Sequence, residues 1–140
     1  MQPLRVLESC LYATDLDAAE RFYIEVIGLT KHGREDGRHV FFRCGDDMVL
    51  IFNPEHTSKV RTTIAGAPLP LHGTRGTGHL AFALREADIP SWRSHLQGCG
   101  VEIESEVRWP QGGTSLYVRD PAGNSIELVS PKVWGFDDSH

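Results

Sequence analysis

No stretch of this chain stays apolar for the roughly 18–20 residues that a membrane span needs. A membrane partner is therefore not expected. The opening MQPLRVLESC lacks a charged segment followed by an apolar one, so a secretory signal is not expected either. Cysteine is scarce: Cys10, Cys44 and Cys99 are widely spaced and odd in number. That fits reduced thiols in a cytoplasm better than a disulfide framework. No basic patch is present, and the net charge is −5, so nucleic acid is an unsuitable partner. What remains is 140 residues of ordinary globular composition, 40% hydrophobic and 24% charged, enough for one domain with a real core.

The chain divides into two similar halves. RVLESCLY at 5–12 reads as a strand. Thr14 or Asp15 can cap a helix whose apolar positions Leu16, Ala19, Phe22, Tyr23, Val26 and Ile27 follow helical spacing, ending at Gly28. RHVFFRC at 38–44 and MVLIFN at 48–53 read as strands around the turn residues Gly45-Asp46-Asp47. The order then repeats. HLAFAL at 79–84 is a strand, and Asp88 can cap a helix carrying Ile89, Trp92 and Leu96 that stops at Gly98. VEIESEV at 101–107, TSLYVRD at 114–120 and NSIELV at 124–129 supply further strands, the last two joined across Asp120-Pro121-Ala122-Gly123. The expected organisation is a single domain over 1–140. It comprises a first βαβββ unit at 4–53, a linker at 54–75 rich in Pro and Gly, a second unit at 76–131 and a tail at 132–140. A unit repeated at a period of about 70 residues cannot easily bury its sheet alone, and pairing two units solves that. The expected fold class is α+β, with two βαβββ repeats forming curved mixed sheets around a cleft.

One residue looks misplaced. Glu127 sits inside the apolar strand NSIELV, where an unpaired buried charge costs several kcal/mol or more. A lone strand glutamate ordinarily faces water, and a strand histidine is more often a hydrogen-bonded core residue than a ligand. Overlaying the halves, however, sets Glu8 opposite His79, each early in the first strand of its unit. The counterpart of Glu127 falls among Val49, Leu50 and Ile51, all apolar. Two carboxylates and an imidazole make a divalent-metal set, and a cation would supply the charge Glu127 needs. Three protein ligands leave positions open for substrate, as catalytic sites do.

The segments ESCLYATDLDAAERFYIEVIGL at 8–29, GTGHLAFAL at 76–84 and LYVRDPAGNSIELV at 116–129 resemble the vicinal oxygen chelate superfamily. That group includes glyoxalase I, fosfomycin-resistance proteins, bleomycin-resistance proteins and extradiol dioxygenases. The resemblance covers nearly the whole chain. It implies that His79 and Glu127 are metal ligands and that Glu8 stands where the family usually has His or Gln. It also implies that the fourth position, a glutamate in the glyoxalase I pattern, is apolar here. A glutamate in place of His favours a harder ion, so the expected cofactor is divalent Mn, Ni, Fe, Mg or Zn, with its identity open. The dioxygenase signature needs a histidine six to eight residues before Leu116, where Arg108, Trp109 and Pro110 stand, and that activity is disfavoured.

The resemblance implies a lyase, isomerase or transferase that chelates neighbouring oxygens of a small oxygen-rich substrate, with Glu8 or Glu127 as general base. The other reading is a metal-free binding protein of the bleomycin-resistance kind, sequestering an aromatic or cationic ligand. Tyr12, Phe42, Arg43, Phe52, Trp109 and Tyr117 are candidate substrate contacts. His39, His56, His72 and His95 lack partner spacing and are expected at the surface. A homodimer is expected, with Glu8 from one chain meeting His79 and Glu127 of the other, since pairing unit one with unit two of a second chain closes a two-fold assembly.

Overall fold

The structure is a computed structural model that describes residues 1–139. His140, the last residue of the expected tail, lies outside them. The chain forms two compact units, Met1–Gly78 and His79–His140.

In the first unit, β1 (Glu8–Tyr12) leads into α1 (Leu16–Arg21), which widens into a π turn over Phe22–Val26. Asp15 caps the helix by accepting the Ala18 N–H at 2.9 Å, satisfying one of the free first-turn donors. Gly28, at φ +83°, ends the segment where a side chain would be strained. β2 (Thr30–Glu35), β3 (His39–Cys44) and β4 (Asp47–Phe52) complete the unit. The sheet order is β1-β4-β3-β2, with β1 parallel to β4 and the remaining pairs antiparallel. Leu11, Tyr23, Val40, Phe42 and Ile51 fill the space between one sheet face and the helix.

β2 escaped the sequence reading because TKHGRE carries no apolar alternation. Charges hold it instead. Lys31 and Arg34 both reach Glu20 of α1 at 2.7 Å, and Arg34 also binds Asp17 and Asp36 at 2.7 Å. The segment expected as a linker contains α2 (Pro54–Thr57), capped by Asn53, and a short ladder of β5 (Thr63–Ile64) with β6 (Ala67–Pro68).

The second unit repeats the design. β7 (His79–Ala83), α3 (Ile89–Gly98), β8 (Ser105–Arg108), β9 (Thr114–Arg119) and β10 (Ser125–Val129) form a sheet in the order β7-β10-β9-β8. Leu96, Leu116, Val118, Ile126 and Leu128 are wholly buried on its helix side. Asp88 does not cap α3, because its carboxylate is held by Arg85 at 2.7 Å. The β9–β10 turn is built on buried Asp120, which accepts the N–H groups of Ala122 and Asn124 and the Asn124 side-chain amide. This turn sets the register that places Glu127 opposite Tyr117.

Candidate metal centre and ligand cavity

Side chains two apart on a strand share a face, so register decides what meets Glu127. On β10, Ser125 and Glu127 point away from the helix, Ser125 beside His79 and Glu127 beside Ala81. His79 and Glu127 are diagonal neighbours within reach of each other's long side chains. His79 Nε2 lies 3.3 Å from Glu127 Oε2. The other carboxylate oxygen accepts the Tyr117 hydroxyl at 2.9 Å. Glu127 is only 9% exposed, so its charge is drawn out of water and needs partners. Burial, then the hydrogen bond to Glu127, raises the Tyr117 phenol above its ordinary value and keeps it a donor at neutral pH.

The imidazole is oriented from behind. His79 Nδ1 lies 3.1 Å from the Ser125 carbonyl oxygen, which can only accept. With Nδ1 donating to that carbonyl, the neutral ring presents the Nε2 lone pair toward Glu127 Oε2; the Ser125 hydroxyl also lies 3.3 Å from Nδ1. Two acceptors facing each other at 3.3 Å call for a proton or a cation between them. A histidine whose second nitrogen is held by a backbone carbonyl is the usual arrangement around metal-ligating imidazoles. The donor set thus fits a divalent cation.

Among the described residues no group of three His, Cys, Asp or Glu side chains gathers to hold a metal ion. Of the three expected ligands, His79 and Glu127 meet in the second unit, and Glu8 belongs to the first. Glu8 pairs with Met48 as His79 pairs with Ser125. The same registers identify Leu50 as the counterpart of Glu127, each two residues further along. The fourth position is therefore Leu50.

The Glu8 face of the first sheet lines a cavity of about 730 Å³, closed over by residues of 57–72. Glu8 lines it, together with the candidate substrate contacts Arg43 and Phe52. Phe42 does not: it is wholly buried on the opposite face against Tyr23, and Phe41 faces the cavity instead. The expectation slipped by one residue, which on a strand exchanges faces. His39 and His72, expected at the surface, also line the cavity. His39 stacks on Phe41 at 3.8 Å between ring centres, and His72 Nδ1 lies 2.8 Å from the Tyr12 hydroxyl. The alternation His39-x-Phe41-x-Arg43 was the available signal. Trp109 lines a different hollow of about 380 Å³ beside α3, and its indole N–H donates to Ser115 Oγ at 2.8 Å.

Comparison with known proteins follows the same lines. Residues 5–128 match the family model of the Glyoxalase/Bleomycin resistance protein/Dioxygenase superfamily. The chain is 31% identical over 121 residues to the glutathione transferase FosA of Serratia marcescens, covering 84% of this chain and 74% of that protein. It is 32% identical over 57 residues to the metallothiol transferase FosB of Bacillus licheniformis, covering 40% of this chain and 37% of that protein. The crystal structure of lactoylglutathione lyase from Agrobacterium tumefaciens superposes with a TM-score of 0.89 at 42% identity, covering 97% of this chain and 100% of that one.

Proposed function

The chain belongs to the glyoxalase/bleomycin resistance protein/dioxygenase superfamily, and from that premise we propose that it is a cytoplasmic, metal-dependent, glyoxalase-like enzyme acting on a small oxygen-rich substrate. The observation that carries this reading is the facing pair His79 Nε2 and Glu127 Oε2, two acceptors 3.3 Å apart with the carboxylate buried. Thiol adducts are the first substrates to try, because the names of FosA and of the lyase both carry glutathione.

His79 and Glu127 would hold the ion, and Glu8 would complete the set. A bound divalent ion would polarise neighbouring oxygens of the substrate as a Lewis acid. The chain's own residues do the rest. The Ser125 carbonyl would hold the imidazole in place, and Tyr117, by holding one oxygen of Glu127, would leave the other for the ion. Glu8 is exposed and makes no hydrogen bond among the described residues, which leaves it free to take a proton from substrate carbon or thiol. Because Glu8 and His79 lie in different units, the proposal includes a homodimer in which each site draws Glu8 from one protomer and His79 with Glu127 from its partner.

The test is metal content. Protein purified without chelator or added metal should carry a divalent ion near stoichiometric amounts. His79→Ala should lose it while keeping the wild-type circular dichroism spectrum. Full occupancy in His79→Ala would remove the assignment. A wild-type protein that takes up no metal but binds ligands would favour the metal-free binding reading, for which the aromatic cavity of the first unit is the supporting observation.

A further inference from the structure

Arg38 is 9% exposed and lines the cavity of the first unit. Its guanidinium stays charged at any working pH and offers five donors. Its Nε is buried with no hydrogen-bond partner. Nη1 reaches His39 Nδ1 at 2.6 Å. Since arginine can only donate, that nitrogen must accept, and His39 is neutral. Burial, then the charge of Arg38, lowers the His39 pKa from its ordinary value. The nearest carboxylate, Glu35, stands 3.8 Å from Nη1, beyond hydrogen-bond length, and is mostly exposed. The guanidinium also lies 5.7 Å from the centre of the Phe52 ring. A cation–π contact of this kind offsets only part of the desolvation of a buried charge. Arg38 is thus a buried cation lining an open volume, its only carboxylate partner among the described residues the loosely held, solvent-exposed Glu35 at the same cavity and its Nε unpaired.

Arg43 shares that cavity, is exposed, and has no ion pair among the described residues. Its register counterpart in the second unit, Arg119, is closed off by both oxygens of Glu104 at 2.6 and 3.0 Å. The two cations mark opposite ends of the sheet face. One end carries the row His39–Phe52–Tyr12, and the other carries Arg43–Met48–Glu8. The rows lie four residue steps apart along the strands, roughly 13 Å.

We propose that Arg38 is an anion-binding residue for an elongated ligand whose carboxylate or phosphonate sits at the Arg38 end, whose apolar body lies on Phe41 and Phe52, and whose other end reaches toward Glu8. The planar fork of the guanidinium suits a carboxylate or phosphonate bidentately. The assignment of the Glu8 end as the reacting end rests on the function proposed above; the anion site itself does not.

The full-length protein with EDTA present is titrated calorimetrically with 4-phenylbutyrate and with its neutral counterpart, 4-phenylbutanamide. The acid should bind at least about tenfold more tightly, and Arg38→Gln should bring it down to the affinity of the amide, with Arg38→Lys intermediate. Equal affinities in the wild-type protein, or no measurable binding of the acid, would overturn the proposal whether or not the variants fold. So would an Arg38→Gln protein that folds and keeps the preference for the acid. Binding of the acid only when a divalent metal is supplied would also overturn the Arg38 site, while leaving the metal-dependent enzyme intact. Chelator-resistant binding by a protein that takes up no metal would uphold Arg38 and remove the metal-dependent reading.

Discussion

Glu127 has both carboxylate oxygens committed, one to Tyr117 and one facing His79, whereas Glu8 is exposed and uncommitted. On the proposed function, that contrast would give two chemically identical groups different work. Glu8→Gln keeps the size and an oxygen ligand but removes the base, so turnover should fall by a factor of about 10² or more while metal is retained. Steady-state rates with a thiol-adduct substrate check this, and unchanged turnover would leave Glu8 at most a ligand. Tyr117→Phe removes the donor that steadies Glu127. Metal affinity should drop by about 10–100-fold, as for other groups that orient ligands, with little change in fold. Competition against a fluorescent chelator measures it, and wild-type affinity in that variant would show that Tyr117 does not orient the ligand.

At the scale of elements, β2 shows where charge substitutes for apolar patterning. The Glu20 side chain is 17% exposed and receives both Lys31 and Arg34, so helix and strand are tied by a network rather than a lone surface pair. Hydrogen bonds to charged groups of this kind contribute on the order of 1.5–3 kcal/mol each way they are broken, so Glu20→Ala should destabilise the fold by about 2 kcal/mol. The bonds from Lys31, then Arg34, lower the Glu20 pKa from its ordinary value. With a lowered folded-state pKa, this contribution is present above the ordinary carboxylate range and is lost as pH falls through the folded value. Urea midpoints for wild type and Glu20→Ala should therefore converge in acid; a gap that stays constant down to pH 3 would contradict this origin. The same network explains what was legible. β1, β3, β4, β7, β9 and β10 announce themselves because each presents an apolar side to a helix. β2 pairs through Thr, Lys, His and Arg, and no periodicity marks it. His79 and Glu127 stood out as polar residues in apolar strands. Arg38 did not, because its burial and its place beside the Phe52 ring depend on how β3 and β4 pack, which local spacing does not show.

On the scale of the whole molecule, the two units share one topology but divide the chemistry unequally. The second holds the imidazole–carboxylate pair, and the first holds Glu8, Leu50 and the cavity with its two cations. Two units of one topology yield two equivalent sheet faces, and on the proposed function the face with Glu127 would hold the metal while the face with Leu50 at the matching position would receive the ligand. Each half would then need the other. The boundary between units falls at Gly78, directly before His79, after a segment with Gly73 and Gly76 at positive φ. Each sheet also ends in open edge strands, β1 and β2 or β7 and β8, which proteins cover by pairing or assembly. A homodimer that joins the first unit of one protomer to the second unit of its partner meets both needs. Glu8→Ala and His79→Ala proteins should each be inactive. After subunit exchange, a mixed dimer would contain one intact site, with both native ligands, and one doubly altered site. Complete random exchange should then restore about a quarter of wild-type activity, since half the dimers are mixed and half of their sites are intact. Exchange is verified independently by tagging one variant and recovering mixed dimers. Mixed dimers that form but stay inactive would place Glu8 and His79 of each site in the same protomer.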